Sequence, residues 1–154
     1  MSGFEIRRRI LGVDFGQARI GVAVSDELGM LAHPVETILN SRDSAKQIAE
    51  IAKEKDVERV VIGLPRHMNG SVGDSAEAAT MFAEKLRGLL ACEVVTWDER
   101  LTTMAASRTV RESGRNVRDS RSFIDQVAAQ MILQSYLDGM QMARDREPGT
   151  DTAS

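Results

Sequence analysis

The sequence predicts an α/β domain with a mixed five-stranded sheet and helices on both faces. Three observations predict this class. Short runs rich in valine and isoleucine follow one another closely near the start of the chain, as in antiparallel strands. Two later runs of this kind alternate with segments of helical spacing, as in parallel strands joined by crossovers. With 154 residues, 42% of them hydrophobic, the chain can bury one substantial core.

The first three strands are expected to run antiparallel. The run from Ile10 to Phe15 is apolar on both faces, which is typical of a central strand. A second strand is predicted from Arg19 to Ser25, because the three residues before it suit a hairpin loop. A third strand is predicted from Val35 to Leu39.

A helix and a fourth strand follow. Ser41 or Asp43 can cap a helix that ends near Lys55. The β-branched run from Arg59 to Leu64 is stopped by Pro65, which predicts a buried strand that enters a loop. Strands one, four and five are expected to be parallel, because helices join the later strands.

The rest of the domain is predicted to contain three helices and the fifth strand. Helical spacing extends from Ser75 to Leu90, and a strand follows from Val94 to Trp97. A further helix is expected to start near Thr102. The polar segment from Gly114 to Ser120 predicts a mobile loop, and the last helix is predicted from Ser122 to Gln141.

The chain ends and the single cysteine restrict the class of protein. Residues 1–143 are expected to form the domain, and residues 144–154, which lack apolar content, a disordered tail. Cys92 has no partner for an internal disulfide, and no apolar run approaches the length of a membrane span. These features predict a cytoplasmic protein without a membrane partner.

Charge predicts a local site for nucleic acid. The net charge of −3 argues against binding by the whole surface. Between residues 100 and 121, however, six arginines against two acids leave a local charge of +4. The spacing of Arg108, Arg111, Arg115 and Arg118 is close to helical, so these residues form either a nucleic-acid-binding stripe or a solvated face.

Three acidic points are candidates for catalysis. Asp14 lies near the end of an otherwise apolar strand, where a carboxylate is costly unless it is paired or bound to metal. Asp98 and Glu99 end the fifth strand, and strand alternation turns only one of them toward the side of Asp14. Asp125 lies on a helical line with Ala128 and Ala129, although Ser122 to Asp125 also has the spacing of a capping box.

Carboxylates from separate elements, with no cysteine pair and only two histidines, favour Mg²⁺ or Mn²⁺ over zinc. Two such ions can clamp a phosphodiester for in-line hydrolysis. Arg19 and Arg100 flank two of the acids, and Arg66 lies in the loop after strand four. Each of these arginines can contact a phosphate, although an arginine that pairs with a carboxylate is the commoner arrangement.

Four segments resemble the signatures of the YqgF family in order and spacing, and together they span nearly the whole domain: LGVDFGQARIGVAVSD, GLPRHMNG, DERLTT and IDQVAAQMILQSYLD. The resemblance implies a ribonuclease H-like fold related to the Holliday junction resolvase RuvC, and a link to 5′-end maturation of pre-16S ribosomal RNA. It also implies catalytic roles for Asp14, for Glu99 with Asp98, and for Asp125.

The chain departs from RuvC at two positions. RuvC has a catalytic glutamate on strand four, where this chain has Gly63, and a second aspartate three residues after the helical one, where this chain has Ala128. The corresponding acid is therefore expected from strand five. A site with fewer carboxylates is expected to hold its second metal ion weakly.

Several functions remain open at this point. The first is a nuclease acting on structured RNA, with Asp14, Glu99 and Asp125 as ligands of two ions and with Asp98 in reserve. The second is a resolvase of branched DNA, which needs two sites and thus a homodimer rather than a monomer. A noncatalytic RNA-binding factor is the third. The first hairpin also resembles the phosphate loop of actin-like ATPases, but the chain has length for only one of the two domains they use.

Overall fold

The computed structural model describes residues 9–64, 74–98 and 117–146. These residues form five strands and three helices: β1 (Arg9–Phe15), β2 (Arg19–Ser25), β3 (Ala32–Leu39), α1 (Ser44–Glu54), β4 (Val57–Leu64), α2 (Asp74–Leu89), β5 (Glu93–Asp98) and α3 (Val117–Arg146). The sheet order is β3-β2-β1-β4-β5. β1 pairs antiparallel with β2 and parallel with β4, which pairs parallel with β5. The predicted fold class, the predicted directions of the strands and the predicted hairpin loop are confirmed.

Helices cover both faces of this sheet because β1 and β4 are apolar on both sides. On one face Leu11, Val13 and Ile62 pack with α1 and α2. On the other face Ile10 and Val61 pack with α3. β1 lies at the centre of the sheet, so the residues at its end are held from both faces and by both neighbouring strands.

Three predicted boundaries were wrong. β3 begins at Ala32, three residues before the prediction, because Pro34 and the exposed residues near it hide an edge strand that pairs on one side only. α3 begins at Val117, inside the segment predicted as a loop, and continues to Arg146, beyond Gln141. The capping box at Ser122 is therefore also wrong, since this residue lies inside the helix. The helix expected near Thr102 lies outside the described residues.

Among the helices of the described ranges, none combines the length and apolar content needed to cross a membrane.

Candidate active site

Asp14 lies at the carboxyl end of β1, between two glycines on the neighbouring strands. Its register partners are Gly21 on β2 and Gly63 on β4. Side chains alternate along a strand, so Asp14 shares a face with Ile10 and Gly12, which is the face that α3 covers. Asp14 is half-buried there. Gly21 has no side chain on this face, and Asp125 of α3 occupies the space beside it.

α3 packs against this end of the sheet at backbone distance. A Cβ atom added to Gly12 would lie 2.7 Å from Cβ of Leu133, and one added to Gly21 would lie 2.0 Å from the carbonyl oxygen of Asp125. Both distances are shorter than any real Cβ contact. Glycine at these two positions therefore allows α3 to lie directly on β1 and β2.

The close packing of α3 on β2 places Asp125 beside Gly21, the register partner of Asp14. Cβ of Asp125 is 3.2 Å from the position that a Cβ on Gly21 would occupy. Gly21 is the register partner of Asp14, and Cβ positions of such partners lie about 5 Å apart. Two carboxylates from elements far apart in sequence thus lie on the same side of the sheet and flank one glycine. The catalytic roles predicted for Asp14 and Asp125 stay predictions.

Arg19 binds Asp125. Nε of Arg19, at the start of β2, donates to Oδ2 of Asp125 over 2.8 Å. The side chains are 31% and 19% exposed, so the pair is shielded from water on most sides. Arg19 therefore holds one oxygen of this carboxylate and fixes the orientation of the second. Of the two roles that the sequence left open for Arg19, pairing with a carboxylate is the one seen here.

Asp98 lies on the other face of the sheet. It is the register partner of Leu64. Val94, four residues earlier on the same strand, packs in the core under α1 and α2, whereas Trp97 packs with α3. By alternation Asp98 shares the face of Val94, opposite to Asp14. The described residues contain no group of three or more histidine, cysteine or acidic side chains that could hold a metal ion.

Gly63 explains how this site differs from the arrangement expected in RuvC. The register places Gly63 directly beside Asp14 on β4. A carboxylate at this strand position would be a neighbour of Asp14, and this chain supplies none. Any third acid on the face of Asp14 must come from another part of the chain.

The remaining predicted site residues cannot be placed. Glu99, Arg66, Arg100, Arg108, Arg111 and Arg115 lie outside the described residues, and Arg118 is described only as part of the backbone of α3. Their roles stay predictions.

Asn40 is a residue that the sequence did not single out. Its Nδ2 donates to the carbonyl oxygen of Gly16 over 2.8 Å, and its backbone N–H donates to the carbonyl oxygen of Ala18 over 3.0 Å. These two hydrogen bonds hold the hairpin loop that follows Asp14 against the end of β3. An asparagine after an apolar strand is typical of loops generally, so this contact could not be predicted from the residue pattern.

Comparison with known proteins gives concordant results. The family model described as RuvX, Holliday junction resolvase, matches residues 8–139. Proteins from Bacillus thuringiensis (strain Al Hakam) and Bacillus anthracis (strain A0248) are 45% identical to the chain over 134 residues, which is 84% of this chain and 98% of each relative. Both bear the name "Putative pre-16S rRNA nuclease".

Solved structures share the fold at low sequence identity. Thermus thermophilus RuvC in complex with Holliday junction substrate aligns with a TM-score of 0.56 at 14% identity, over 88% of this chain and 97% of that one. Fowlpox virus resolvase in complex with Holliday junction DNA aligns with a TM-score of 0.52 at 10% identity, over 86% and 98% of the two chains. These similarities establish the ribonuclease H-like fold expected from the sequence.

Proposed function

The chain belongs to the RuvX (YqgF) family, and from this premise we propose that it is a metal-dependent endonuclease acting in 5′-end maturation of pre-16S ribosomal RNA. The reaction is hydrolysis of phosphodiester bonds. Relatives at 45% identity that carry the name of a pre-16S rRNA nuclease support the substrate. The same substrate implies that the protein works in the cytoplasm.

One observation carries the proposal: Asp14 and Asp125 lie on the same side of the sheet, on either side of Gly21. This is the carboxyl end of β1, where open α/β sheets bind ligands. Carboxylates that share one site repel each other, and a cation held between or beside them relieves this repulsion. Arg19 binds Oδ2 of Asp125, and Oδ1 is the oxygen of this residue that we assign to a metal ion.

We propose Glu99 as the third ligand. Asp98 faces α1 and α2, and the residue that follows it in an extended strand would face the side of Asp14. This alternation favours Glu99 over Asp98, between which the sequence did not decide. Asp98 then serves as a neighbour of the site rather than as a ligand.

The donor set suits Mg²⁺ or Mn²⁺, because hard cations prefer carboxylate oxygens. Asp14, Asp125 and Glu99 would hold the metal, with two ions as the proposed number. When bound, the ions activate a water molecule and stabilise the charge that develops on the cleaved phosphodiester. The role of Arg19 is to keep one oxygen of Asp125 engaged, so that the other is presented in a fixed direction.

Arginines outside the described residues are proposed to bind the sugar–phosphate backbone: Arg66, Arg100, Arg108, Arg111 and Arg115, together with Arg118 on α3. The local charge of +4 in residues 100–121 supports this role. Arg19 is proposed to contribute to the same surface only through its exposed part, because its Nε is bound to Asp125.

Resolution of branched DNA is the second candidate function. The family description as Holliday junction resolvase favours it, and two proteins of the same fold are seen with Holliday junction DNA. Resolution requires two cuts, so this version requires a homodimer, whereas cleavage of RNA is compatible with a monomer.

The test is cleavage of end-labelled pre-16S ribosomal RNA and of a synthetic four-way DNA junction, each with Mg²⁺ or Mn²⁺. Asp14→Ala is expected to lower cleavage at least about a thousandfold, because it removes a ligand that supplies several kcal/mol of transition-state stabilisation. The matched control is Glu36→Ala, which removes one exposed carboxylate from β3 and should leave cleavage unchanged. Thermal unfolding should show both variants folded.

The outcomes separate the candidates. Metal-dependent cutting of the RNA alone supports the nuclease, and cutting of the junction alone transfers the proposal to the resolvase. RNA binding without cleavage of either substrate would leave a noncatalytic RNA-binding factor. Cleavage that persists in Asp14→Ala would refute the assignment of the site.

A further inference from the structure

A pocket of about 220 Å³ opens on the face of the sheet opposite to Asp14. It lies where the carboxyl end of β1 meets the start of α1 and the middle of α2. The lining residues used below are Phe15, Asn40, Arg42, Met81, Phe82 and Lys85. Phe15 follows Asp14 directly in β1, so the pocket and the two carboxylates share one end of the sheet and are separated by its thickness.

Two cations flank this pocket. Arg42 precedes α1 and Lys85 lies on α2, and both side chains are exposed. Neither forms a salt bridge within the part of the chain that the structure describes, although Arg9, Arg19, Arg59 and Arg87 all do. No described residue that lines the pocket is acidic. Within the described part of the chain, two cations and no acid line this pocket, on a protein whose net charge is −3.

Part of the pocket lining is apolar. The rings of Phe15 and Phe82 are in contact, with centroids 4.8 Å apart. Met81 at the rim is 67% exposed, which is unusual for a large apolar side chain on a helix whose neighbours Phe82 and Ala83 are buried. Positive charge above an apolar floor suits a phosphate joined to a sugar better than it suits a free inorganic anion.

Asn40 connects this pocket to the catalytic end of β1. It lines the pocket and also holds the hairpin loop after Asp14 through Gly16 and Ala18. A strand of nucleic acid that passes over this loop would reach the pocket on one side and the carboxylates on the other.

We propose that the pocket between Arg42 and Lys85 binds one phosphate of the substrate strand, with the attached sugar against Met81, away from the bond that is cut. The inference rests on the proposed nuclease function and adds a substrate subsite to it. The subsite recognises a sugar–phosphate backbone and carries no base specificity. Its polar side chains are two cations, the amide of Asn40, which donates to Gly16, and the hydroxyl of Ser41, which accepts from the backbone N–H of Asp43.

The experiment compares two variants with equal charge. Arg42→Ala/Lys85→Ala removes both cations of the pocket, and Lys53→Ala/Lys55→Ala removes two cations from the opposite end of α1. Binding of a fluorescent single-stranded RNA is measured by anisotropy in EDTA, so that the result does not depend on cleavage. The pocket variant should bind about tenfold more weakly, and the slope of log K against log salt should become shallower by about 0.7, as for one lost phosphate.

A cleavage assay with Mg²⁺ adds a second readout. The pocket variant should show a KM raised about tenfold and a kcat within about twofold of the unchanged protein, as expected for lost ground-state binding. The control variant should match the unchanged protein in both assays. Calorimetry with inorganic phosphate alone is the third arm.

The proposal is overturned if the two double variants lose equal affinity, because the effect is then one of net charge. It is also overturned if the pocket variant binds RNA normally, or if inorganic phosphate binds at the pocket and RNA binding does not depend on it. RNA bound through the pocket without any cleavage would refute the nuclease function and leave the subsite standing. Failure of the unchanged protein to bind RNA refutes both.

Discussion

The two ends of the sheet each carry an ion pair of nearly the same length. At the carboxyl end of β1, Arg19 reaches Asp125 on α3 over 2.8 Å. At the amino ends of β4 and β5, Arg59 reaches Glu93 on the neighbouring strand over 2.7 Å. The arginine in both pairs lies on a strand and is about two-thirds or more shielded from solvent. Bond length alone therefore does not distinguish the two ends.

The surroundings of the two pairs do distinguish them. Glu93 is 59% exposed, and Arg59 also donates to the hydroxyl oxygen of Tyr136 over 2.7 Å. Burial alone would lower the pKa of Arg59, but the hydrogen bond and the attraction to Tyr136 and Glu93 raise it above the ordinary value. The ring of Tyr136 packs edge-on against Trp97. The amino end is thus a network in which charges are compensated by several partners.

The carboxyl end is arranged in the opposite way. Asp125 is only 19% exposed, and Asp14 lies just across Gly21 from it. Tight packing at Gly12 and Gly21 holds α3, and with it Asp125, against the two strands that carry Asp14 and Arg19. We infer that the interactions at the amino end mainly stabilise the fold, whereas the packing at the carboxyl end mainly positions Asp125 relative to Asp14.

The largest effect on stability is expected from Gly21→Ala. The new Cβ would lie 2.0 Å from the carbonyl oxygen of Asp125, so α3 must move away from β2. We expect a loss of about 3 kcal/mol in the free energy of unfolding, at the upper end of the range for overpacked positions, together with loss of cleavage. Urea unfolding and the RNA assay measure the two effects.

Gly88→Ala is the matched control. Gly88 lies in α2, and a Cβ added there meets nothing within 4 Å. Stability should stay the same or rise by up to about 1 kcal/mol, because alanine is the better helix former. If Gly21→Ala were as harmless as Gly88→Ala, the close approach of α3 that brings Asp125 to Asp14 would be wrong.

The next comparison exchanges the two arginines for glutamine. Arg59→Gln should lower the free energy of unfolding by about 1 kcal/mol, since it loses the bonds to Glu93 and Tyr136 in a partly exposed setting, and should leave cleavage unchanged. Arg19→Gln should lower kcat roughly tenfold, because Asp125 loses the bond that orients it. Equal losses of cleavage in the two variants would contradict the inference that only the carboxyl end of the sheet positions catalytic residues.

Much of this fold was predictable because local patterns specify it. The valine-rich alternation in β1 and β2 and the short loop between them fix a hairpin, and the crossover helices fix the parallel pairing with β4 and β5. The start of β3 was placed wrongly because only one residue of this strand is buried and Pro34 lies near its start, and the start of α3 because its residues are largely polar. An edge strand and the first turns of a long helix bury little, so composition carries little signal there.

The site was predictable only in part, for a related reason. Alternation and helical spacing place Asp14 and Asp125 on faces that can meet. The sequence does not specify which face of β5 lies under α3, so Asp98 could be assigned to the far face only from the register with Leu64 and the two cores. The bond from Arg19 to Asp125 spans 106 residues and depends on how α3 crosses the sheet.

The smallest expected effect concerns Cys92, at the amino end of the sheet. It lines a cavity of about 460 Å³ with Ala52, Val57 and Leu90, and burial raises the pKa of its thiol above the ordinary value of 9.0. A raised pKa means that the folded protein holds the proton more tightly than the unfolded chain does. The stabilisation is therefore complete below the ordinary pKa and is lost as the pH rises through the folded pKa.

Two measurements follow from this sign. The free energy of unfolding should fall more steeply between pH 8 and 10 in the unchanged protein than in Cys92→Ala. Iodoacetamide at pH 8 should alkylate Cys92 at least about threefold more slowly in the folded protein than in urea, because the thiolate is the reactive form. Faster alkylation in the folded protein would mean that the amino end activates a nucleophile, and the view of this end as purely structural would then fail.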